Sequence, residues 1–153
     1  MNGEPNYKSL PIQQRIVISL CHSITVSLGL PIYLLTQSYL IFILCPTICY
    51  LISRYHRRNG NSWMAYQGLQ STIINLTLFF GIFALFEFQP TAQILNLLLL
   101  SAIFTLSVYS LWGALDTLLG FEFNYVFIGN ISKKVSNSNL YRKRFKDKYR
   151  NEK

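Results

Sequence analysis

Charged residues are missing from most of this chain. No Lys, Arg, Asp or Glu occurs from Ile16 to Ser53 or from Thr91 to Leu115, and Glu87 is the only one from Asn59 to Thr91. Runs of 18 or more mainly apolar residues without charges are typical of membrane-spanning helices. A chain of 153 residues is too short to enclose such runs in polar structure. The sequence therefore predicts a membrane protein.

We predict an all-α, polytopic membrane protein with four transmembrane helices and a basic C-terminal tail. The N-terminal segment covers residues 1–15, the transmembrane domain residues 16–120 and the tail residues 121–153. At 1.5 Å per residue, three of the helices reach about 30 Å, the thickness of the hydrocarbon layer of a bilayer. The predicted helices cover residues 16–35, 39–53, 64–86 and 92–115.

The second predicted helix is the shortest, and two arrangements stay open for it. In one, it crosses the membrane and continues to Tyr55, while Arg54 extends its long side chain to the headgroups. In the other, it forms a re-entrant hairpin with the first helix. A polar turn at residues 36–38 precedes it, and Ser62 is expected to cap the next helix.

Basic residues occupy three regions, and their positions predict the orientation of the chain. Lys8 and Arg15 precede the first helix, three arginines lie at residues 54–58, and nine basic residues lie at residues 133–153. With four spans, all three regions fall on one side of the membrane. Loops rich in Lys and Arg face the cytosol. Both termini are therefore expected on the cytosolic or equivalent side.

The third predicted helix carries amides into an otherwise apolar run. At 100° per residue, Gln67, Gln70, Ser71 and Asn75 fall within about 140° on one side. Amides are costly in lipid unless they are paired, so this polar stripe should face other helices or water. It either forms interhelical hydrogen bonds or lines a polar path. The apolar residues on the opposite side are Leu69, Ile73, Leu76 and Phe80.

Two ionisable residues lie within or close to the apolar runs. His22 is inside the first helix, where it is a functional candidate because burying its charge in lipid is costly. It could equally be a neutral imidazole hydrogen-bonded to another helix or placed near the headgroups. Asp116 lies near the basic-side end of the fourth helix, below a weaker stripe of Ser101, Thr105 and Trp112.

The apolar runs contain two prolines, which are expected to kink helices, and three cysteines, which are candidates for redox or metal chemistry. Pro31 and Pro46 each remove a backbone N–H and are expected to kink their helices. Cys45 and Cys49 share a helix face, and Cys21 lies in another helix. These thiols form either a redox or metal site or simple packing contacts, and without a second pair at zinc spacing we favour packing. We expect no metal site.

The C-terminal tail combines basic residues with aromatic residues at four-residue spacing. It is expected to lie on anionic headgroups as an amphipathic helix. RNA contact at a ribosome, or a plain positive-inside tail, are the alternatives. The residues expected to contact headgroups are Arg142, Lys143, Arg144, Lys146, Lys148 and Arg150.

Motifs of the common enzyme classes are missing from the sequence. We find no nucleotide-binding loop, no paired carboxylates, no serine elbow and no zinc-protease helix. We therefore expect no enzyme, no catalytic residue and no cofactor, and no DNA among the partners.

Three short motifs follow one another along the chain: "HSITVSLGLPIYLL", "CPTICYLISRYHRRNGNSWMAYQGLQSTIINL" and "GFEFNYVFIGNISKKV". Their order resembles the Tic-twenty family of chloroplast inner-envelope import proteins and a related small bacterial membrane domain of unknown function, and the resemblance spans residues 15–135. Ser71 stands where the family pattern has Ala, and the tail after Ser136 is not part of it. The matching positions are His22, Ser23, Pro31, Pro46, Gln70, Ile128 and Gly129.

The resemblance implies a four-helix membrane subunit of a protein-import translocon in the plastid inner envelope, or a bacterial plasma-membrane protein if the chain is bacterial. Its implied partners are membrane lipids, other integral subunits of a complex and a translocating polypeptide. Two other functions stay open from the residues themselves. One is a small channel or transporter acting as an oligomer, and the other is an assembly or scaffold factor for another membrane complex.

Overall fold

The computed structural model describes residues 10–87, 93–126 and 128–136, and in those ranges all the regular secondary structure is helical and no strand occurs. The all-α prediction is confirmed. A π-helical turn at Thr25–Gly29 joins the first two helices into one rod. The helices are α1 (Ile12–Ile24), α2 (Leu30–Thr36), α3 (Leu40–Arg58), α4 (Ser62–Glu87), α5 (Gln93–Leu119) and α6 (Ile128–Ser136).

Three segments are long and apolar enough to cross a membrane. They are the continuous rod Ile12–Thr36, α4 and α5, with 25, 26 and 27 residues. These helices agree with the prediction of a membrane protein. The remaining long helix, α3, has 19 residues, but its last turn is His56, Arg57 and Arg58. By length and composition, three helices are therefore candidate membrane spans, and α3 is not among them.

α3 continues five residues beyond the end predicted at residue 53. Its basic last turn is favourable at a helix C-terminus, where the backbone carbonyls carry partial negative charge. The helix ends where Gly60 adopts a positive φ of 76°. Asn61, rather than the predicted Ser62, caps α4, because its Oδ1 accepts the N–H of Met64 at 3.1 Å.

The π-helical turn lies directly before Pro31, at the position where a kink was expected. The N–H of Leu30 donates to the carbonyl of Thr25, five residues back. This wider turn lets the helix resume at α2 with Pro31 in its first turn, where the missing N–H costs little. Pro46 lies buried within α3, which continues on both sides of it.

The ends of the helices meet in two groups, which fixes their antiparallel arrangement. At the end that we call the basic end, Asn61 donates to Gln14 at 3.0 Å, and Gly120 lies beside the side chain of Arg15. At the opposite end, the Tyr33 ring packs against those of Tyr39 and Phe86, at centroid distances of 4.9 and 5.4 Å. α3 therefore runs the full length of the bundle, as the other long helices do.

α4 is the central helix, in contact with α1, α3, α5 and α6. Its approach to α3 is close at Gly68, where an added Cβ would come within 3.1 Å of the Ser53 Cβ and 3.2 Å of its Cα. Ser53 continues a row of small residues on α3 at four-residue spacing, with Cys45 and Cys49, and all three are buried. Small residues allow such close helix packing in membranes.

α5 contributes little to the interior of the bundle. Only Ser110, Gly113, Ala114 and Thr117 of this helix are buried, all in its C-terminal half. The weaker stripe predicted on this helix faces outward: Ser101, Thr105 and Trp112 are exposed, and both hydroxyls donate to carbonyls of their own helix. The sequence did not predict which face of α5 points inward, because the buried residues of that face are small and carry no amide.

The contact between Gly68 and Ser53 gives a stability prediction. Gly68→Leu should lower the thermal unfolding temperature of the purified protein in detergent, because overpacking a tight contact costs about 1–3 kcal/mol. Thr77→Leu inserts the same side chain at an exposed site of α4 and should leave the unfolding temperature close to the original. Equal effects of the two substitutions would contradict the close α3–α4 packing.

Candidate functional site

After α5 the chain folds back against the bundle as an extended segment, Gly120–Val126, which we call the strap. α5 ends in a Schellman motif: the Gly120 N–H donates to Thr117 O at 3.1 Å, and the Phe121 N–H donates to Asp116 O at 2.9 Å. Gly120 has a φ of 86°, a conformation that glycine adopts without strain. This turn directs the strap from the end of α5 onto α4 and α1.

Side chains along the strap alternate between buried and exposed. From Phe123 to Val126, Phe123 and Tyr125 are buried and Asn124 and Val126 are exposed, whereas Phe121, next to the glycine turn, is exposed and lies outside this alternation. Successive side chains of an extended chain point to opposite faces, so one face of the strap rests on the bundle. An added Cβ on Gly113 would come within 2.8 Å of the Phe123 ring, so glycine at this position of α5 makes room for that ring.

The two glutamines of α4 form hydrogen bonds with the backbone of the strap. Gln67 and Gln70 each donate from Nε2 to Phe123 O, at 3.0 and 3.1 Å. Gln70 also accepts the Tyr125 N–H at its Oε1, at 2.9 Å. A non-helical segment inside a helical bundle has no helical carbonyls or amides to pair with, and an unpaired buried backbone group costs several kcal/mol in an apolar medium. The amides of α4 supply those partners.

These backbone contacts also determine the tautomer of His22. Phe123 O can only accept, so Nε2 of Gln67 faces it and Oε1 of Gln67 faces His22. The His22 Nε2, 3.2 Å from that oxygen, must then carry the proton. Nδ1 is left as an acceptor and receives the hydroxyl proton of Tyr125 at 3.0 Å. His22 is thus a neutral imidazole with both nitrogens occupied.

Further hydrogen bonds tie this network to the neighbouring helices. Ser110 of α5 donates to the His22 carbonyl, and Tyr66 of α4 donates to the Asn124 side chain in the strap. We call the set formed by His22, Gln67, Gln70, Ser110 and the strap the amide cluster. It joins α1, α4 and α5 to a segment that is more than fifty residues from Gln67 and Gln70 in sequence.

The other predicted polar residues of α4 lie beside the cluster. Ser71 donates to Gln67 O of its own helix at 2.8 Å. Asn75 donates from Nδ2 to Cys21 O at 2.8 Å and to Cys49 Sγ at 3.5 Å, which joins α4 to α1 and α3. The stripe thus divides into a half that holds the strap and a half that joins helices.

The whole stripe is enclosed by protein. The four side chains Gln67, Gln70, Ser71 and Asn75 each have 0% of their surface exposed, as does His22. The stripe therefore faces protein rather than lipid, and its side chains line no open path in this conformation. An open groove of about 590 Å³ lies instead at the far end of the bundle, between α4 and the start of α5.

Other sites predicted from the sequence lie elsewhere. Asp116 is half-buried near the basic end of α5 and is not among the residues that form the amide cluster. Cys21, Cys45 and Cys49 are buried free thiols, and within the described ranges no three His, Cys, Asp or Glu side chains are arranged to hold a metal ion. The tail residues expected to contact headgroups, 142–150, lie outside the described residues.

Sequence reasoning missed the residues that the strap contributes. Residues 121–153 were assigned to a tail, and the predicted transmembrane domain ended at residue 120, yet Phe123 and Tyr125 belong to the buried interior. The pattern "FEFNY" alternates aromatic and polar residues directly after a glycine, and its second and third aromatic residues are the buried ones. That alternation is typical of an extended segment with one buried face, and it is the signal that could have identified the strap.

No protein-family model, curated protein or solved structure matches this chain. The chemistry of the amide cluster is that of neutral amides, hydroxyls and one neutral imidazole. Such groups donate and accept hydrogen bonds and hold a backbone in position. The arrangement suits structural support or backbone recognition.

Removing the Gln70 amide should loosen the strap without unfolding the helices. Gln70→Leu leaves the Tyr125 N–H unpaired, which costs about 1–3 kcal/mol when the group is buried. Hydrogen exchange at the Tyr125 amide should then be about ten- to a hundredfold faster, while exchange in the middle of α4 is unchanged. Gln93→Leu, the same change at an exposed amide, is the control. Slow exchange at Tyr125 in both variants would contradict the role given to Gln70.

Proposed function

We propose that this chain is a non-catalytic, multi-pass membrane subunit of a larger complex, and that it acts as a Tic-twenty-like component of a plastid protein-import translocon. The observation that carries the proposal is the amide cluster. His22 and Gln70, which carry part of the resemblance, come from different helices and meet at the strap that begins the third resembling motif. Parts of the pattern that are far apart in sequence thus make one structural unit.

The Ile-Gly pair of the same pattern supports this reading. Ile128 packs against the cluster that contains Phe123 and Tyr125. An added Cβ on Gly129 would collide with the Asn124 side chain and come within 3.3 Å of the Tyr66 hydroxyl. Glycine is therefore needed at this position for α6 to pack against the strap. The packing of α6 against the strap therefore explains both the Gly-aromatic link and the Ile-Gly pair.

We further propose four spans, with α3 as the fourth. α3 has a length of roughly 28 Å at 1.5 Å per residue, and it runs between the two ends of the bundle. Its basic last turn then lies at the same end as Arg15. With four spans, and with basic loops on the inner side, the proposal puts both termini on the stromal or cytosolic side, in the plastid inner envelope or a bacterial plasma membrane.

The exposed side of α5 is the surface that this function would use. Twelve large apolar side chains of α5 are exposed, from Ile94 at 76% to Leu118 at 37%. Lipid and the helices of other integral subunits are the partners that such a surface accepts. A translocating polypeptide is the further partner that the proposed role requires.

A small oligomeric channel and an assembly or scaffold factor are the alternatives. A channel lined by the polar stripe would need Gln67, Gln70 and Asn75 to face water, and all three are enclosed and hydrogen-bonded in a single chain. This arrangement favours a subunit or scaffold role over a channel along the stripe.

The number of spans can be tested by cysteine labelling. In a background with Cys21, Cys45 and Cys49 replaced by Ala, single cysteines are introduced at Gln37, Asn59, Gln89 and Asn137. An impermeant reagent added to the outside of sealed membranes should label positions 37 and 89 and leave 59 and 137 unlabelled, because α3 separates 37 from 59. Labelling of 37 and 59 on the same side would show that α3 does not cross.

Complex membership can be tested by gentle purification. A tagged chain solubilised in digitonin should co-purify with a reproducible set of other membrane proteins, and this set should shrink when apolar residues of α5 are replaced. The test variant is Leu98→Asn, on the exposed side of α5. The control variant is Asn130→Leu, the reverse change on the exposed side of α6. Recovery of the chain alone as a homo-oligomer would contradict the subunit role and support the channel.

A further inference from the structure

The strap is held in the way that a bound peptide is held. Its backbone, through Phe123 O and the Tyr125 N–H, is paired by side chains of α4 rather than by another backbone. Alternate side chains enter the bundle and the intervening ones point away. Recognition of extended peptides commonly combines main-chain hydrogen bonds, which supply affinity, with pockets for alternate side chains, which supply specificity.

Gln70 recognises a defined backbone unit. Its amide oxygen accepts an N–H and its amide nitrogen donates to the carbonyl two residues earlier. This pair of groups is present at every position of an extended chain other than proline. Side-chain selectivity comes from the Phe123 ring, which lies on Gly113, and from the Tyr125 hydroxyl, which His22 accepts. The site therefore fits a segment with aromatic residues two positions apart.

The surface beneath the strap is polar and can be hydrated when the strap leaves. His22, Gln67, Gln70 and Ser110 are polar, so water can satisfy them when the strap is released, which an apolar groove would not allow. Gln70 is the ninth residue of α4, which places it roughly 12 Å from Ser62 at the basic end, at 1.5 Å per residue. The glycine turn at the end of α5 lies at the same end, beside Arg15.

We propose that α1, α4 and α5 form a binding groove for an extended peptide segment with an aromatic-x-aromatic pattern, and that the chain's own strap fills this groove in the present structure. The strap is the resident occupant, and a segment of another polypeptide with the same pattern competes for the groove. This inference stands on the contacts of the strap and does not depend on membership in a translocon.

The test uses the full-length protein in lipid nanodiscs. The probe is a fluorescent peptide with the strap sequence GFEFNYV, and the protein carries Phe123→Ala and Tyr125→Ala to weaken its own strap. Saturable binding is expected by anisotropy. The control peptide is N-methylated at its tyrosine, which replaces the N–H that Gln70 accepts with a methyl group, and it should bind about tenfold more weakly because a buried acceptor is left unpaired.

A second substitution makes the assignment specific. Adding Gln70→Leu to the weakened protein should lower the affinity for the parent peptide and abolish the difference between the two peptides. Adding Gln93→Leu should preserve that difference. A parent peptide that does not bind a folded variant, or that binds no better than its N-methylated form, would overturn the proposal.

The unsubstituted chain provides a measurement that does not depend on the folding of any variant. Excess parent peptide should increase hydrogen exchange at the Phe123 and Tyr125 amides by at least about threefold, because each displaced strap exposes them to water. The N-methylated peptide should increase it less. An exchange rate that excess peptide leaves unchanged would mean that the strap is a permanent part of the bundle, which would overturn the proposal whatever the complex-purification result.

Discussion

The interaction on which the bundle depends is the pairing of one glutamine side chain with the backbone of a segment that is not helical. Gln70 accepts the Tyr125 N–H and donates to Phe123 O. A membrane interior offers no water to such groups, so an extended segment can enter it only where protein supplies the partners. The Gln70 amide can in turn be buried in an apolar helix because the strap pairs both its oxygen and its nitrogen. Each side of this contact removes the cost of burying the other.

Because α4 and the strap depend on each other, the sequence could predict the helices but not the partner of the α4 amides. Uncharged runs identify long helices directly, because charge is excluded from the bilayer core. The 100° spacing correctly placed Gln67 and Gln70 on a side that faces protein. Periodicity within one helix cannot identify a partner more than fifty residues away, and a strap of seven residues is too short to stand out as a membrane-spanning run. The cap at Asn61 and the end of α3 at Arg58 depended on local contacts that a hydropathy pattern does not contain.

The two ends of the bundle are stabilised by different interactions. The basic half contains the amide cluster and the bond from Asn75 to Cys21 O, whereas the far half is packed by aromatic rings around Tyr33 and Phe42. Hydrogen bonds fix orientation more narrowly than ring packing does, because each donor must face its acceptor. The small residues of α3, including Cys49 and Ser53, bring α3 close to α4 in the half where geometry is most constrained. The thiols are thus explained by their size and by weak donation to helix carbonyls.

The position of the strap in the chain also constrains how the bundle assembles. Gln67, Gln70 and His22 are synthesised before α5, and their partners in the strap are synthesised only after it. Helices that are individually stable in lipid can insert first and pack later. Until the strap arrives, the polar surface of α1 and α4 must be kept near the basic end, where water or headgroups can satisfy it. The depth of the cluster, roughly 12 Å for Gln70 at 1.5 Å per residue, is compatible with that requirement. Asn75 lies deeper, at the middle of α4, but its partners, Cys21 O and Cys49 Sγ, belong to α1 and α3, which are synthesised before it. Its hydrogen bonds therefore do not wait for the strap.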